Sequence, residues 1–122
     1  MLSLTRIGYW RSEQQPELPD PHDVVDNEWT SDDRGVVSAY FRRGTTARAY
    51  MGPSFCRMCG VRNGSLEYTD GRFLWPDGFA HYIDEHNVKP PDAVIAWAVE
   101  RMALIEDAEV DDDWWRGITA RS

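Results

Sequence analysis

The chain has 122 residues, a formal net charge of −8, 42% apolar residues and six tryptophans. This length is enough for one domain with its own hydrophobic core, and the apolar content excludes an intrinsically disordered chain. The N-terminus lacks the apolar stretch of a signal peptide, and no apolar run approaches the length of a membrane-spanning helix. We therefore expect a single domain, residues 1–122, in the cytoplasm.

The positive charge is concentrated in the middle of the chain. Residues 42–72 contain six arginines against two acids, a local charge of +4 that leaves −12 for the remainder. An acidic protein is repelled by nucleic acid unless its positive charge is clustered, so the Arg42–Arg72 segment makes nucleic-acid binding an alternative function, although an unfavoured one. The simpler interpretation is that these arginines pair with acidic side chains of the same fold.

The first half of the chain predicts a strand, a loop, a helix and a second strand. The apolar stretch Ile7–Trp10 indicates a short strand, and three prolines in residues 12–23 predict an extended surface loop. Thr30 or Ser31 can cap the helix that follows. Its buried stripe would consist of Val36, Val37, Tyr40 and Phe41. The segment Thr45–Met51 then resembles a strand.

A β-hairpin is predicted in the middle of the chain. The dipeptide Asp70-Gly71 separates two short segments rich in apolar residues, which is a strong hairpin signal. A two-residue turn would pair Tyr68 with Phe73 and Leu66 with Trp75. These four side chains would then form one apolar, aromatic face.

Two helices and an acidic tail are predicted after the hairpin. The first helix covers Phe79–His86, with Asn87 as a left-handed stop. The longest helix covers Asp92 to about Asp107. Its apolar stripe would consist of Ile95, Ala98, Met102 and Ile105. The tail, residues 107–122, combines acids with the Trp114-Trp115 pair.

The most specific motif is a Cys-x2-Cys pair, Cys56 and Cys59, followed by a His-x4-His pair, His81 and His86. These are the only cysteines, and Zn²⁺ favours two thiolates and two imidazoles in a tetrahedral site. We therefore predict a structural Zn²⁺ site with these four residues as ligands. Gly60 suits a tight knuckle turn beside the thiolates. The order knuckle, hairpin, helix predicts an α+β fold whose ββα-like zinc module covers about residues 50–90 and packs with flanking helices.

The spacing of the two histidines sets a condition on this site. At about 100° per residue, His81 and His86 lie about 140° apart on an ideal helix. Both reach one ion only if the helix loosens near its end, which Asn87 favours. The alternative is that another group replaces His81, which then stays a surface histidine. His22, in the proline-rich loop, is expected to be a solvated bystander.

A catalytic or redox role is less favoured by the motif. Four protein ligands leave no position for water, whereas catalytic zinc usually keeps one open. The stretch His81–His86 matches neither His-Glu-x-x-His nor His-x-x-Glu-His. If one histidine did not bind, Glu85 could act as a base on a zinc-bound water, so a zinc hydrolase is a second alternative. The cysteine pair precedes a hairpin instead of opening a helix, which does not favour thiol redox chemistry.

Several motifs together resemble a group of small bacterial zinc-binding proteins. The residues that carry the resemblance are Cys56–Gly60, Asn63–Gly64, Leu66–Gly71, Trp75–Gly78, Ala80–Tyr82 and His86–Val88. In that group a Cys-x2-Cys-Gly knuckle precedes a Leu-Thr-Asp-Gly turn, a Trp-Pro-Glu-Gly helix start and a second histidine. The likeness extends from residue 9 to about residue 95, with Asp77 in place of Glu and Tyr68 in place of Leu. It implies the same four zinc ligands, and it implies no activity.

The expected function is that of a non-enzymatic zinc-binding protein that acts through contact with another protein. The acids of the tail would steer a basic partner, and Trp114 and Trp115 would anchor it. The alternative is that both tryptophans pack onto the core of the protein itself.

Overall fold

The computed structural model describes residues 1–49 and 52–121. Within these residues the strands are β1 (Thr5–Arg6), β2 (Thr45–Ala49), β3 (Leu66–Thr69) and β4 (Phe73–Pro76). The helices are α1 (Ser31–Phe41), α2 (Phe79–His86), α3 (Asp92–Glu106), α4 (Asp113–Arg116) and α5 (Ile118–Arg121), with a 3-10 turn at Pro21–Val24. The predicted α+β class is confirmed.

The four strands form one mixed sheet in the order β1-β4-β3-β2, in which only β1 and β4 run parallel. The strand predicted at Ile7–Trp10 is wrong, because β1 comes just before it. The chain leaves the sheet at Gly8, whose φ is +76°. A Cβ at this position would lie 2.6 Å from the Phe79 ring, so both the backbone conformation and the close packing require glycine.

The strand predicted at Thr45–Met51 is confirmed over β2, Thr45–Ala49. Its last two predicted residues, Tyr50 and Met51, lie outside the described residues. The pairing of β2 with β3 is irregular between Thr46 and Arg48. All the residues of β2 are exposed, as expected for an edge strand.

The predicted hairpin is present, but its register differs from the prediction by two residues. Tyr68 pairs with Trp75 and Thr69 with Leu74, so the turn spans four residues instead of two. The Asp70 carboxylate causes this difference, because it accepts hydrogen bonds from the backbone N–H of Arg72 (2.9 Å) and of Phe73 (2.8 Å). A shift of two residues leaves every side chain on its predicted face.

The core lies where α1, α2 and α3 pack on the aromatic face of the hairpin. Trp75 is fully buried, packs edge-to-face on Phe41 with ring centroids 4.9 Å apart, and donates its indole N–H to the Phe41 carbonyl at 2.9 Å. The remaining fully or nearly fully buried members of this core are Trp29, Val37, Tyr40, Phe73, Phe79, Ala80, Ile83, Val94, Ala98 and Met102.

Two residues of the predicted helical stripes are exposed, and a third, Ile95, is partly buried. Thr30 caps α1 as predicted, since its hydroxyl accepts from the Asp33 N–H at 3.3 Å, but Val36 is 39% exposed. In α3 the predicted stripe ends at Met102, and Ile105 is 59% exposed. Every residue of α3 after Met102 is exposed, so the last turn of this helix extends beyond the core.

The hydrogen bonds around Asp70 give the fold a testable dependence on pH. Burial acts to raise the pKa of Asp70, but hydrogen bonds from the Tyr40 hydroxyl, the turn N–H groups and the Trp97 indole outweigh it and hold the pKa below its ordinary value. A carboxyl group with a depressed folded-state pKa stabilises the protein above its unfolded pKa, and this stabilisation is lost as the pH falls through the folded pKa.

We expect Asp70→Asn to lower the free energy of unfolding by about 1 kcal/mol at pH 7, a modest value because the carboxylate is partly exposed. The difference from the wild type should shrink as the pH falls below about 4, where the wild-type carboxylate is also neutralised. Thermal unfolding, followed by circular dichroism at several pH values, measures this difference in stability. Glu109→Gln, an exposed acid in the tail, is the control. If the difference in stability between Asp70→Asn and the wild type did not change with pH, the carboxylate charge of Asp70 would not be its cause.

Candidate metal centre

Cys56 and Cys59 lie on a tight loop between β2 and β3. The Cys56 N–H donates to the Val61 carbonyl and the Gly60 N–H donates to the Cys56 carbonyl, both at 2.8 Å. Gly60 has a φ of +78°, the left-handed conformation that the predicted knuckle requires. The Met58 N–H lies 3.4 Å from the Cys56 sulfur, so one backbone amide already points at a thiolate position.

His81 and His86 lie on α2, whose last turn is wider than an ideal helix. The Tyr82 carbonyl accepts from the N–H groups of both Asn87 and Val88, which are five and six residues ahead. Asn87 has a φ of 56° and ends the helix as predicted. The two imidazole rings lie with their centroids 5.1 Å apart. The histidines therefore face one another, as the loosened helix end was predicted to allow.

The four predicted ligands converge. One ligand atom from each of Cys56, Cys59, His81 and His86 lies within 4.8 Å of all the others, which is close enough to bind a single metal ion. The Cys59 sulfur and His81 Nε2 are 3.4 Å apart. Neighbouring ligand atoms around a tetrahedral zinc ion lie about 3.3–3.8 Å apart, given the usual bond lengths. This pair is thus already at the separation that a shared ion needs.

His86 Nε2 supplies a separate observation that fits a metal ligand. This atom is buried and has no hydrogen-bond partner among the described residues. Buried polar atoms are almost always satisfied by a hydrogen bond or an ion. A metal ion held with the other three ligand atoms would satisfy it.

The environment of His81 favours the form of imidazole that binds metals. Burial lowers the pKa of His81 below its ordinary value, and the nearby His86 acts in the same direction. A lower pKa keeps the imidazole neutral at pH 7, and neutral imidazole is the ligand.

Tyr82 supports the centre from inside the protein. Its hydroxyl accepts from the Arg57 N–H at 2.8 Å, and its ring packs with Cys56. Burial raises the pKa of Tyr82 to about 12, so the hydroxyl keeps its proton. Tyr82 and Val88 also bury Cys56, whereas Cys59 is exposed. The centre therefore joins the knuckle loop to the buried side of α2.

The sequence did not identify this role of Tyr82. An aromatic residue at this position of an amphipathic helix has the pattern of an ordinary core residue. Its hydrogen bond to the loop depends on the distance between α2 and the knuckle, which no local pattern encodes.

The other candidate residues lie outside the centre. His22 is exposed, and its Nδ1 is 2.8 Å from an Asp20 carboxylate oxygen. Glu85 is exposed on α2. Two arginines of the Arg42–Arg72 segment form ion pairs within the fold, Arg42 with Asp84 (3.0 Å) and Arg48 with Glu67 (2.5 Å).

Among the described residues, no helix combines the length and the apolar character needed to cross a membrane. Comparison of the chain with protein-family models, with curated proteins and with solved structures finds no match. The resemblance carried by the motifs therefore stays a prediction.

Proposed function

We propose that Cys56, Cys59, His81 and His86 bind one Zn²⁺ ion in a closed tetrahedral site, and that this ion has a structural role. The observation that carries the proposal is the convergence of these four ligand atoms within 4.8 Å. In this role the ion cross-links the knuckle loop to α2, so it stabilises the folded state relative to the unfolded chain.

The donor set supports zinc and a structural role over a hydrolytic one. Two thiolates and two imidazoles in a tetrahedral arrangement are typical of structural zinc. Four protein ligands leave no position for a reacting water. The exposure of Glu85 does not favour it as a base inside a water-excluding site. A non-enzymatic protein is thus the function that the site supports best.

Replacement of single histidines tests whether both are ligands. We expect His81→Ala and His86→Ala each to weaken zinc binding by about a hundredfold or more, because each removes one ligand of four. Zinc affinity is measured by competition with a chelator of known affinity, and metal content by elemental analysis. His22→Ala is the matched control, since it removes the third histidine, which lies outside the centre.

If one of the two variants bound zinc as tightly as the wild type, that histidine would not be a ligand. A water in the vacant position would then favour the hydrolase over the structural site, and hydrolysis of an activated ester would be the assay.

We further propose that the protein acts by binding a basic partner protein through its tail. Trp114 and Trp115 are 60% and 66% exposed, and their ring centroids lie 6.3 Å apart. This exposure does not support the alternative that they pack into the core. The acids near them are Glu106, Asp107, Glu109, Asp111, Asp112 and Asp113. Exposed aromatic anchors flanked by acids suit a basic surface.

An arginine-rich peptide is a suitable probe of this surface. We expect it to bind in low salt, and we expect Trp115→Ala to weaken binding about tenfold, since buried aromatic anchors carry much of the energy of an interface. Isothermal titration calorimetry measures both. Leu104→Ala, an equally exposed apolar residue before the tail, is the control. Equal effects of the two substitutions would contradict the proposal. The ion pairs of Arg42 and Arg48 within the fold do not favour nucleic acid as the partner.

A further inference from the structure

Two neighbouring chambers lie beside the segment that follows β1. The apolar chamber has a volume of about 390 Å³, and the polar chamber has a volume of about 230 Å³. They share the wall formed by Arg6, Gly8, Tyr9, Trp10 and Leu18. The volume of the apolar chamber is within the usual range of small-molecule sites.

The two chambers differ in the chemistry of their remaining walls. Aliphatic, proline and aromatic side chains dominate the apolar chamber, among them Ile7, Val24, Phe79, Val88 and Val94. The polar chamber adds hydroxyl, amide and guanidinium groups, among them Ser12, Gln15, Asn63 and Arg57. A molecule that occupies both chambers must therefore have an apolar body and a polar end.

The charged side chains in the walls have one sign. Among the described residues, the charged side chains that line the chambers are Arg6, Arg57 and Lys89, and all three are cationic. This is notable in a protein whose net charge is −8. Lys89 lies 3.7 Å from Asp26. Within residues 1–49 and 52–121, no carboxylate lies at ion-pairing distance from Arg6, which instead stacks 4.1 Å above the centre of the Tyr9 ring. Arg6 Nη1 donates to Gln15 Oε1 at 3.4 Å, a neutral partner, so the charge of Arg6 is not neutralised at the junction of the chambers.

The shared wall also contains an unsatisfied donor. The Trp10 indole nitrogen is buried and has no hydrogen-bond partner among the described residues. A buried donor without an acceptor costs about 1–3 kcal/mol, so such groups usually have a partner in the functional state of a protein. An acceptor oxygen is the partner it lacks, and a carboxylate supplies one.

We propose that the two chambers form a binding site for a small anionic amphiphile, with its carboxylate beside Arg6 and its apolar body in the apolar chamber. The polar chamber adjoins the metal centre, because Arg57 and Tyr82 line it, but Cys56, Cys59, His81 and His86 are not among the lining residues of either chamber. The apolar walls supply affinity through burial, and the cationic walls select an anion over a neutral molecule of the same shape.

Octanoate and the uncharged octanamide, which has almost the same shape, are the probes. We expect octanoate to bind about tenfold more tightly than octanamide, which is the effect of one charge-assisted hydrogen bond. Binding is measured by ¹H–¹⁵N correlation spectra of the purified protein. The resonances expected to shift are the Gly8 amide, the Val88 amide and the Trp10 indole N–H.

Two variants and a control locate the site. Arg6→Gln should abolish the preference for octanoate and leave octanamide binding unchanged, whereas Leu18→Trp should weaken both ligands by filling the shared wall. Arg116→Gln removes the same charge from the tail and should change neither. Three results would overturn the proposal. The wild type could bind both ligands with equal affinity, the Arg6→Gln protein could keep the preference for octanoate, or the resonance shifts could be confined to residues outside the two chambers.

Discussion

The variant Cys56→Ser is expected to be purified without zinc and to unfold at a clearly lower temperature than the wild type. Serine has almost the size of cysteine but is not a zinc ligand of comparable strength, so the substitution removes one corner of the site with little change in packing. Cys56 is the more informative of the two cysteines, because it is buried against Tyr82 and Val88.

The size of the effect follows from binding linkage. An ion that binds only the folded state stabilises it by about 4 kcal/mol when free zinc is about a thousandfold above the dissociation constant. The core around Trp75 contains no metal ligand, so we expect the variant to keep part of its structure. The knuckle loop and its contact with α2 should lose their order first, because the cross-link between them is gone.

The measurement compares thermal unfolding of both proteins with and without a chelator. Chelation should lower the stability of the wild type to that of Cys56→Ser and should leave the variant unchanged. A chelator effect of equal size on both proteins would mean that the metal binds elsewhere.

The variant Trp75→Ala is expected to cause the largest loss of stability that does not involve the metal. Trp75 is fully buried where the hairpin meets α1 and α2, and removal of such a ring costs about 3–5 kcal/mol through lost burial and the resulting cavity. It also leaves the Phe41 carbonyl without the indole N–H that now lies 2.9 Å away. Because small domains are stable by only about 5–15 kcal/mol, this loss is a large fraction of the total stability, and the unfolding temperature should fall clearly.

Two further substitutions show whether the loss of stability comes from the packing of Trp75 or from the removal of any tryptophan. Trp75→Phe keeps an aromatic ring but loses the hydrogen bond, so its loss should be intermediate. Trp115→Ala removes an exposed tryptophan of the tail and should change stability by less than about 0.5 kcal/mol. Urea unfolding followed by circular dichroism gives the three free energies. Equal losses for Trp75→Ala and Trp115→Ala would contradict the position of the core.

The module of knuckle loop, hairpin and α2 was predictable because its signals are local. A Cys-x2-Cys pair followed by glycine, an Asp-Gly turn between apolar segments, and an Asn at the end of a helix each constrain the backbone within a few residues. The bounds of α2 and the left-handed conformation of Asn87 agree with the prediction. The convergence of the four ligand atoms followed from the order of these elements along the chain.

The features that were missed depend on contacts between distant residues or on side-chain hydrogen bonds. The hairpin register is set by the Asp70 carboxylate, which bonds two backbone N–H groups and lengthens the turn. The end of β1 is set by the approach of Gly8 to Phe79, more than seventy residues away. Similarly, Ile105 continues the apolar period of α3, but the core ends before it. The apolar period of a helix predicts which of its faces is buried, but it does not predict how far along the helix the core extends.

The proposed four-ligand zinc site is tested most sharply by the metal content of the purified, reduced wild-type protein. Elemental analysis gives the metal content, and circular dichroism gives the fold with and without a chelator. We expect one zinc ion per chain, and loss of ordered structure in the knuckle loop and the end of α2 when the chelator removes the ion. A metal-free protein with the same circular dichroism spectrum and unfolding temperature before and after chelation would contradict the proposed site.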